Sequence, residues 1–316
     1  MSFRRIWNYL LMIKGFYLSL LFRKVIVWGQ PFALSAELVR GCNLHCPGCV
    51  GGTLHGEDVK QMSPGLLEKT LISVYKRTFY LQLWFQGEPF LYNELTKAFQ
   101  LSQKYRMFSV LATNGLLLNE SINQQLIDGK LKKLIVTIDT LPSSENGYRV
   151  GGNEASVVTH IKQLVQQKKL HKSKLPWIEA QMIVTSENEN QIDEFKRVLK
   201  EAGADHVRLK PAHFNRLDDP DLPVPSKYAR YKKHPTGIWE PIQPIRNRCR
   251  RLWSTLVISH KGQVVPCCFD KGIMYPLGNA NQENPTKIWK AEAFNKYRKA
   301  ILKNRRQADI CRNCTE

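Results

Sequence analysis

The chain has 316 residues, of which 43% are hydrophobic, as in a globular protein with a sizeable core. A chain of this length folds without disulfides, so its eight cysteines are not those of a small disulfide-stapled domain. Lysine and arginine number 47 against 27 acidic residues, which gives a formal charge of +20. Such a balance favours nucleic acid, an anionic membrane or an acidic peptide as partner and says nothing about the fold.

The N-terminal segment, residues 1–31, is predicted to form a basic, apolar helix ahead of the main fold. Residues 6–22 are mostly apolar and aromatic, with arginine or lysine on both sides. This run is shorter than the ~20 apolar residues of a spanning helix, and Lys14 lies near its middle. Three interpretations stay open: a helix packed on the protein, a helix lying on an anionic membrane, and a membrane span.

The first cysteine group follows a predicted strand at residues 32–39. Cys42, Cys46 and Cys49 have the spacing C-x₃-C-x₂-C on one short loop. Three thiolates can hold three irons of a [4Fe–4S] cluster and leave the fourth iron open to a ligand. Zinc would need a fourth ligand, for which His45 is poorly suited, and a disulfide would leave one cysteine over. Burial as three apolar side chains is the remaining alternative.

Strands and helices then alternate as far as residue 211. The helix after the cysteine loop has Ser63 as its cap and Pro64 at its first position, and a later helix stops at Gly203. The predicted strands are residues 32–39, 79–85, 107–113, 133–139, 177–185 and 206–211. The predicted helices are residues 64–76, 93–104, 120–128, 153–168 and 191–202. This alternation predicts an α/β fold, a partial (βα)₆ TIM-like barrel of parallel strands.

The residues best suited to chemistry follow the C-terminal ends of these strands. Barrel enzymes keep their active sites at that rim. The group consists of the cysteine loop, residues 86–89, residues 113–115, Asp139 and residues 210–211. Their common position predicts one site on one rim.

The βα pattern ends near residue 218. Proline-rich stretches make residues 218–248 a predicted linker. A hairpin with strands at 256–259 and 263–266 follows, and then a helix at 287–304. The second cysteine group lies in this C-terminal unit and consists of Cys249, Cys267, Cys268, Cys311 and Cys314. Its thiolates are numerous enough to fill a second metal site.

The two cysteine groups and the βα units together resemble the radical SAM superfamily with a shortened SPASM-type C-terminal domain. The resemblance places the partial barrel at residues 32–217 and the auxiliary-cluster domain at residues 249–316. It implies an enzyme that binds S-adenosylmethionine at the open iron of a catalytic [4Fe–4S] cluster. Reductive cleavage of this cofactor gives a 5′-deoxyadenosyl radical, which abstracts hydrogen from a substrate.

The resemblance also implies individual roles. Cys42, Cys46 and Cys49 would ligate the catalytic cluster. The residues implied in binding S-adenosylmethionine are Gly87, Glu88, Pro89, Asn114, Thr137, Arg149 and Leu209. Glu88 would receive the methionine amino group, since a buried ammonium needs acceptors and a counter-charge. Plainer alternatives are a loop acid for Glu88, an ordinary turn for Asn114 and a solvated cation for Arg149.

Two departures from the family pattern change the expectations. Gln86 stands where the family's G-G-E-P stretch has its first glycine, so the backbone there is expected to differ. The further cysteines of a full SPASM pattern do not follow Cys314, so we expect one auxiliary [4Fe–4S] cluster. Its implied ligands are Cys249, Cys267, Cys311 and Cys314. Cys268 is a competitor or a spare, and structural zinc is the alternative to this cluster. Four protein ligands favour electron transfer over substrate binding.

The expected partners follow from this chemistry. The electron donor would be a flavodoxin or a ferredoxin, and the substrate a peptide or protein residue or a small polar metabolite. Cysteines reserved for clusters imply the reducing cytoplasm. If the N-terminal helix contacts a membrane, as one of its three interpretations holds, we expect it at the inner membrane face. The alternative function is a basic RNA-binding or tRNA-modifying protein with structural metal sites. The scattered charge, without an arginine-rich tract, disfavours nucleic acid.

Overall fold

A computed structural model gives the fold and describes residues 1–47, 49–54, 56–141, 149–214, 217–219 and 221–315. The strands are β1 (Ala33–Ala36), β2 (Val39–Arg40), β3 (Lys60–Gln61), β4 (Tyr80–Gln82), β5 (Phe108–Thr113), β6 (Lys133–Thr137), β7 (Trp177–Val184), β8 (His206–Pro211), β9 (Tyr231–Lys233), β10 (Trp239–Pro241), β11 (Thr255–Ile258), β12 (Gln263–Val265) and β13 (Gly278–Asn279). The helices are α1 (Phe3–Phe22), α2 (Pro64–Val74), α3 (Leu95–Lys104), α4 (Glu120–Asp128), α5 (Glu154–Leu170), α6 (Ile192–Glu201), α7 (Arg251–Ser254), α8 (Pro285–Lys290) and α9 (Glu292–Asn304).

One nine-stranded sheet forms the centre of the molecule, in the order β13-β12-β11-β1-β4-β5-β6-β7-β8. The six strands from β1 to β8 in this order are parallel neighbours, and helices α2 to α6 connect them. The sheet's central side chains, such as Leu81 and Leu134, are fully buried. The α/β prediction is confirmed, and all six predicted strands and five predicted helices of this region are present.

The helix starts follow local capping chemistry. Ser63 Oγ accepts a hydrogen bond from the Leu66 amide, 3.2 Å away, with Pro64 at the first helical position. Asn119 and Asn153 cap α4 and α5 in the same way. A side-chain oxygen at this position satisfies one of the amides that a helix start leaves without a partner. Capping thus fixes where the connecting helices α2, α4 and α5 begin.

The C-terminal region extends the same sheet. β11 pairs in parallel with β1, from Ala33 opposite Thr255 to Ala36 opposite Ile258. β12 and β13 follow as antiparallel neighbours, which confirms the predicted hairpin. The predicted linker contains an antiparallel ribbon of β9 and β10. The domain division itself stays a prediction, and Glu316, its last residue, lies outside the described residues.

The prediction of one helix at residues 287–304 is wrong, because α8 and α9 meet at Ala291 in extended conformation. The buried Arg298 guanidinium donates to the Trp289 carbonyl, 2.7 Å away, and lies over the rings of Trp289 and Phe294. This contact satisfies a carbonyl that a helix end leaves without a partner. The break therefore depends on a tertiary contact.

Helix α1 covers the N-terminal ends of the barrel strands. Arg5 donates to the carbonyls of Tyr75, Tyr105 and Arg106, which precede β4 and β5. Asn8 bonds in both directions with Gln30, shortly before β1. Of the three interpretations of this segment, packing on the protein is the one that these contacts show. Within the described ranges, no helix is long and apolar enough to cross a membrane.

Candidate active site

The cysteine loop starts at the rim where β1 ends. Its base is closed by the antiparallel pair of β2 and β3 and by a hydrogen bond from the Cys42 amide to the Leu54 carbonyl, at 3.1 Å. The Cys49 amide donates to the Cys46 carbonyl, also at 3.1 Å, which folds the loop back on itself. The structure therefore brings the three cysteines together on a short, internally bonded loop.

Burial governs the thiols of this loop. It raises the pKa of Cys42 to about 11, although the Leu44 amide points at its sulfur from 3.4 Å. Burial also raises the pKa of Cys46, against the opposing effect of Arg149. In the metal-free loop the raised pKa values favour the protonated thiols of Cys42 and Cys46. Metal binding must release those protons and will depend on pH.

Glu88 is a buried carboxylate held between the loop and the end of β5. Its Oε1 accepts from Thr113 Oγ1 at 2.8 Å and from the Phe90 amide at 3.1 Å, and its Oε2 accepts from the Asn114 amide at 2.9 Å. Its own amide donates to the Gly41 carbonyl at 2.8 Å. Burial raises the pKa of Glu88 despite these donors. A plain loop acid would be solvated, so that alternative does not fit this environment.

Gly87 allows the close approach of this segment to the cysteine loop. Its φ of +71° lies in the left-handed region, and a Cβ there would lie 2.5 Å from the Val39 carbonyl oxygen and 2.6 Å from that of Gly41. No other residue fits without moving the backbone. Gln86, the departure from the family pattern, turns its Nε2 to the Lys271 carbonyl, 2.8 Å away. The residue that replaces the first glycine of the family pattern thus ties the rim to the C-terminal region.

The other residues implied in cofactor binding lie at different distances from the loop. Asn114 Nδ2 donates to Asn43 Oδ1 at 2.7 Å and lies 3.7 Å from the Cys42 sulfur. Thr137 Oγ1 donates to the Thr113 carbonyl at the end of β5. Pro89 is buried at the start of a short 3₁₀ turn beside Glu88. Asn114 therefore lies beside the cysteines themselves.

Arg149 lies near enough to the cysteine loop to act on the pKa of Cys46, whereas Leu209 lies on strand β8. Arg149 pairs with Asp139, with Nε and Oδ2 2.9 Å apart and both side chains largely buried. The alternative of a solvated cation does not fit this pair. Leu209 is on β8, opposite Met182 on β7. The structure places it on the strand at the edge of the sheet, and its role at adenine stays a prediction.

Four of the five C-terminal cysteines line one small cavity, together with Arg305 and other side chains. They are Cys249, Cys267, Cys311 and Cys314. Cys268 is absent from this lining. It packs against Phe85, Val257 and Val265, and its sulfur lies 3.3 Å from Arg251 Nη1. The structure thus separates the four implied ligands from the residue that sequence analysis left as competitor or spare.

Arg305 was missed by sequence analysis. It is buried, and its Nη2 donates to the Cys314 sulfur at 2.9 Å while Nη1 donates to the Arg248 carbonyl at 2.8 Å. Burial lowers the pKa of Arg305, but the cysteines around it outweigh burial and raise the pKa overall. Nothing in the sequence distinguishes this arginine from its basic neighbours, since only the fold brings it to the cavity.

Both cysteine sets fit iron–sulfur clusters by the chemistry of their donors. One set offers three thiols on a loop at the rim, and the other offers four thiols around a closed cavity with a buried cation beside them. A cluster with four thiolate ligands is anionic, and Arg305 would balance part of that charge. Across the described part of the chain, no three His, Cys, Asp or Glu side chains form a site for a single metal ion.

Comparison with known proteins identifies the region that holds the C-terminal set. Residues 249–315 match the model of the SPASM family, described as an iron-sulfur cluster-binding domain. Over 301 residues the chain is 25% identical to a protein of Pyrococcus furiosus named tungsten-containing aldehyde ferredoxin oxidoreductase cofactor-modifying protein, with 86% of this chain and 84% of that protein covered.

Two solved structures share the fold. Streptococcus suis SuiB bound to S-adenosylmethionine superposes with a TM-score of 0.66 at 15% identity, covering 86% of this chain and 68% of that one. The enzyme anSMEcpe with bound AdoMet and the Cp18Cys peptide gives a TM-score of 0.61 at 16% identity, covering 90% of this chain and 86% of that one. The barrel-type fold and the C-terminal iron–sulfur domain are confirmed. The alternative of an RNA-binding or tRNA-modifying protein gains no support.

Proposed function

We propose that this chain, a radical SAM enzyme with a SPASM-type C-terminal domain, abstracts hydrogen from a residue of a peptide or protein. The catalytic [4Fe–4S] cluster would be held by Cys42, Cys46 and Cys49. The auxiliary cluster would be held by Cys249, Cys267, Cys311 and Cys314. When bound, the catalytic cluster and S-adenosylmethionine supply the 5′-deoxyadenosyl radical that performs the abstraction.

The buried Glu88 carboxylate beside the cysteine loop is the observation that supports this most directly. Its Oε2 accepts one hydrogen bond, from Asn114, and so keeps acceptor capacity for a further donor. Burial raises the pKa of Glu88 because it disfavours the ionised carboxylate. A cation beside the carboxylate would stabilise that ionised form. The methionine amino group is such a cation, and Glu88 would orient it at the cysteine loop.

A peptide substrate is favoured by two observations. The similar enzyme anSMEcpe was solved with a peptide bound. The charge of +20 would attract an acidic segment and raise its local concentration. The second candidate is a cofactor or another small polar molecule, which the name of the Pyrococcus furiosus relative favours.

Electron transfer is the role that we assign to the auxiliary cluster. Four cysteines around a closed cavity leave no position for substrate, and Arg305 would tune the potential of a cluster bound there. The external one-electron donor would be a flavodoxin or a ferredoxin. The enzyme would work in the reducing cytoplasm, beside the inner face of the membrane.

The test combines metal analysis with turnover. Anaerobically reconstituted protein should hold about eight irons with matching sulfide, and it should form 5′-deoxyadenosine when reduced. Replacing Cys42, Cys46 and Cys49 together by alanine should leave about four irons and no cleavage. Zinc without acid-labile sulfide would overturn the proposal. Deuterium transfer from labelled peptides into 5′-deoxyadenosine would identify the substrate class, and transfer from a small molecule alone would favour the second candidate.

A further inference from the structure

Helix α1 buries polar as well as apolar side chains against the rest of the protein. Its buried face carries Arg5, Asn8 and Ser19, and each of these polar side chains bonds to backbone carbonyls. Met12 and Phe16 are the large apolar side chains of that face. A helix that served only to cover the barrel would present its apolar residues inward. The polar contacts therefore help to hold this helix in place, while many of its large apolar residues stay exposed.

The outward face of α1 carries a stripe of large apolar and aromatic side chains along its length. Their exposure ranges from 52% to 78%, which is far above that of a packed face. The stripe consists of Phe3, Trp7, Leu10, Tyr17, Leu21 and Phe22. Ile6 and the nearby Trp28 widen it, and both are more than 40% exposed. An exposed apolar patch on a single element marks an interaction surface.

The charge around this stripe has one sign. Residues 1–36 contain five basic residues and no aspartate or glutamate. Arg4, Arg23 and Lys24 are exposed at the two ends of the helix. Lys14 interrupts the stripe, and its Nζ lies 5.2 Å from the centre of the Trp28 ring. Apolar and aromatic side chains rimmed by cations alone are typical of helices that lie on anionic membranes.

We propose that the outward face of α1 docks on an anionic lipid bilayer, with the helix axis parallel to the membrane plane. Phe3, Leu10 and Leu21 would enter the acyl boundary, and Trp7 and Tyr17 would lie at the level of the headgroups. A second copy of the chain fits this surface poorly. Two such faces would oppose the four exposed cations of one copy to the four of the other, with no acidic residue in this segment to compensate, because Arg5 is buried.

Docking in this way also fixes the orientation of the enzyme. The polar contacts of α1 are with backbone that precedes β1, β4 and β5, so the helix covers the N-terminal ends of the barrel strands. The cysteine loop and Glu88 lie at the opposite ends of these strands. The catalytic rim of a docked enzyme therefore faces the aqueous side.

The experiment is co-sedimentation of reconstituted holoenzyme with vesicles. Vesicles of phosphatidylcholine and phosphatidylserine should bind the protein, and vesicles of phosphatidylcholine alone should bind it less. The variant Trp7→Ser/Tyr17→Ser should lose about tenfold or more in binding. The variant Arg23→Gln/Lys24→Gln should lose a similar factor, and only at low salt. Leu170→Ser, which removes an exposed leucine from α5, should bind like the parent.

Two outcomes would overturn the proposal. The first is equal pelleting of the parent and the Trp7→Ser/Tyr17→Ser variant. The second is a lipid-free dimer in light scattering that this variant converts to a monomer, since the face would then belong to a second copy. Unchanged iron content of the variants excludes misfolding as the cause of lost binding. Vesicle binding needs no turnover, so its failure leaves the proposed radical chemistry untouched.

Discussion

At the residue scale, the C-terminal cavity distinguishes two adjacent cysteines that sequence alone could not separate. Cys267 lines the cavity, whereas Cys268 packs toward Phe85 and Val265. The two sulfurs are 4.0 Å apart, and the hydrogen bond between them, with burial, raises the pKa of Cys267. The family pattern implied Cys267 as the ligand and left Cys268 as a competitor or spare, and the direction of the two side chains after β12 supports that order.

We therefore predict opposite results for two adjacent substitutions. Cys267→Ser should remove the auxiliary cluster and leave about four irons per chain, whereas Cys268→Ser should keep about eight. Iron and sulfide analysis of reconstituted protein measures both. About eight irons in both variants would show that Cys268 can replace its neighbour as a ligand.

Glu88 allows a test of S-adenosylmethionine binding. Glu88→Gln keeps the shape of the side chain but removes the charge that would pair with the amino group. We expect affinity to fall by about 10- to 100-fold, because a hydrogen bond to a charged group contributes about 1.5–3 kcal/mol. Calorimetry on the cluster-loaded protein measures this, with the exposed Glu94→Gln as control. Equal affinity of both variants for S-adenosylmethionine would show that Glu88 does not bind its amino group.

Arg305 should set the potential of the auxiliary cluster. Arg305→Gln removes a cation that stabilises the reduced, more anionic state, so the midpoint potential should become more negative. The shift should be at most about 130 mV, if the whole of a charge-assisted hydrogen bond is lost in a one-electron couple. Redox titration followed by electron paramagnetic resonance reports it. Arg306→Gln, at an exposed neighbour, should leave the potential unchanged.

At the element scale, the regular elements were predictable and their interruptions were not. Strand β8 and helix α4 have the predicted bounds, because propensity and an asparagine cap specify them locally. The break between α8 and α9 depends on Arg298, which is brought to Trp289 by tertiary packing. The face on which α1 packs could not be predicted either, since an apolar run does not reveal which of its sides is buried.

The hydrogen bonds that Arg5 of α1 donates to three backbone carbonyls give a stability prediction. Arg5→Met would leave the carbonyls of Tyr75, Tyr105 and Arg106 without their donor. We expect the free energy of unfolding to fall by about 2 kcal/mol or more, because buried acceptors without partners are costly. Urea titration of the metal-free protein measures this. Arg4→Met, which changes the exposed neighbour, should have almost no effect.

At the scale of the whole molecule, the rim was predictable, and the extension of the sheet by the C-terminal strands was not. Residues after parallel strands share one edge by geometry, so Glu88 and Asn114 could be expected beside the cysteine loop. The pairing of β1 with β11 joins residues more than 200 positions apart. No local pattern specifies such a neighbour, and a short hydrophobic run suits several positions in a sheet.

This pairing predicts the behaviour of a shortened chain. A protein ending at Arg248 would expose β1 as an edge strand with its hydrogen-bonding groups unsatisfied, and such edges promote aggregation. Light scattering should detect aggregates of this protein, while the full-length, metal-free chain stays dispersed. A dispersed shortened chain that still binds S-adenosylmethionine would show instead that residues 32–217 fold by themselves.

The position of α1 beneath the barrel restricts which membrane-attached substrates this enzyme could reach. Strand β7 alone has eight residues and spans roughly 26 Å. A polypeptide rising from the bilayer past such a barrel needs at least about eight fully extended residues before its target residue reaches the cysteine loop. An anchored substrate would therefore carry its modified residue beyond a tether of at least that length, whereas a residue at the lipid surface would stay out of range.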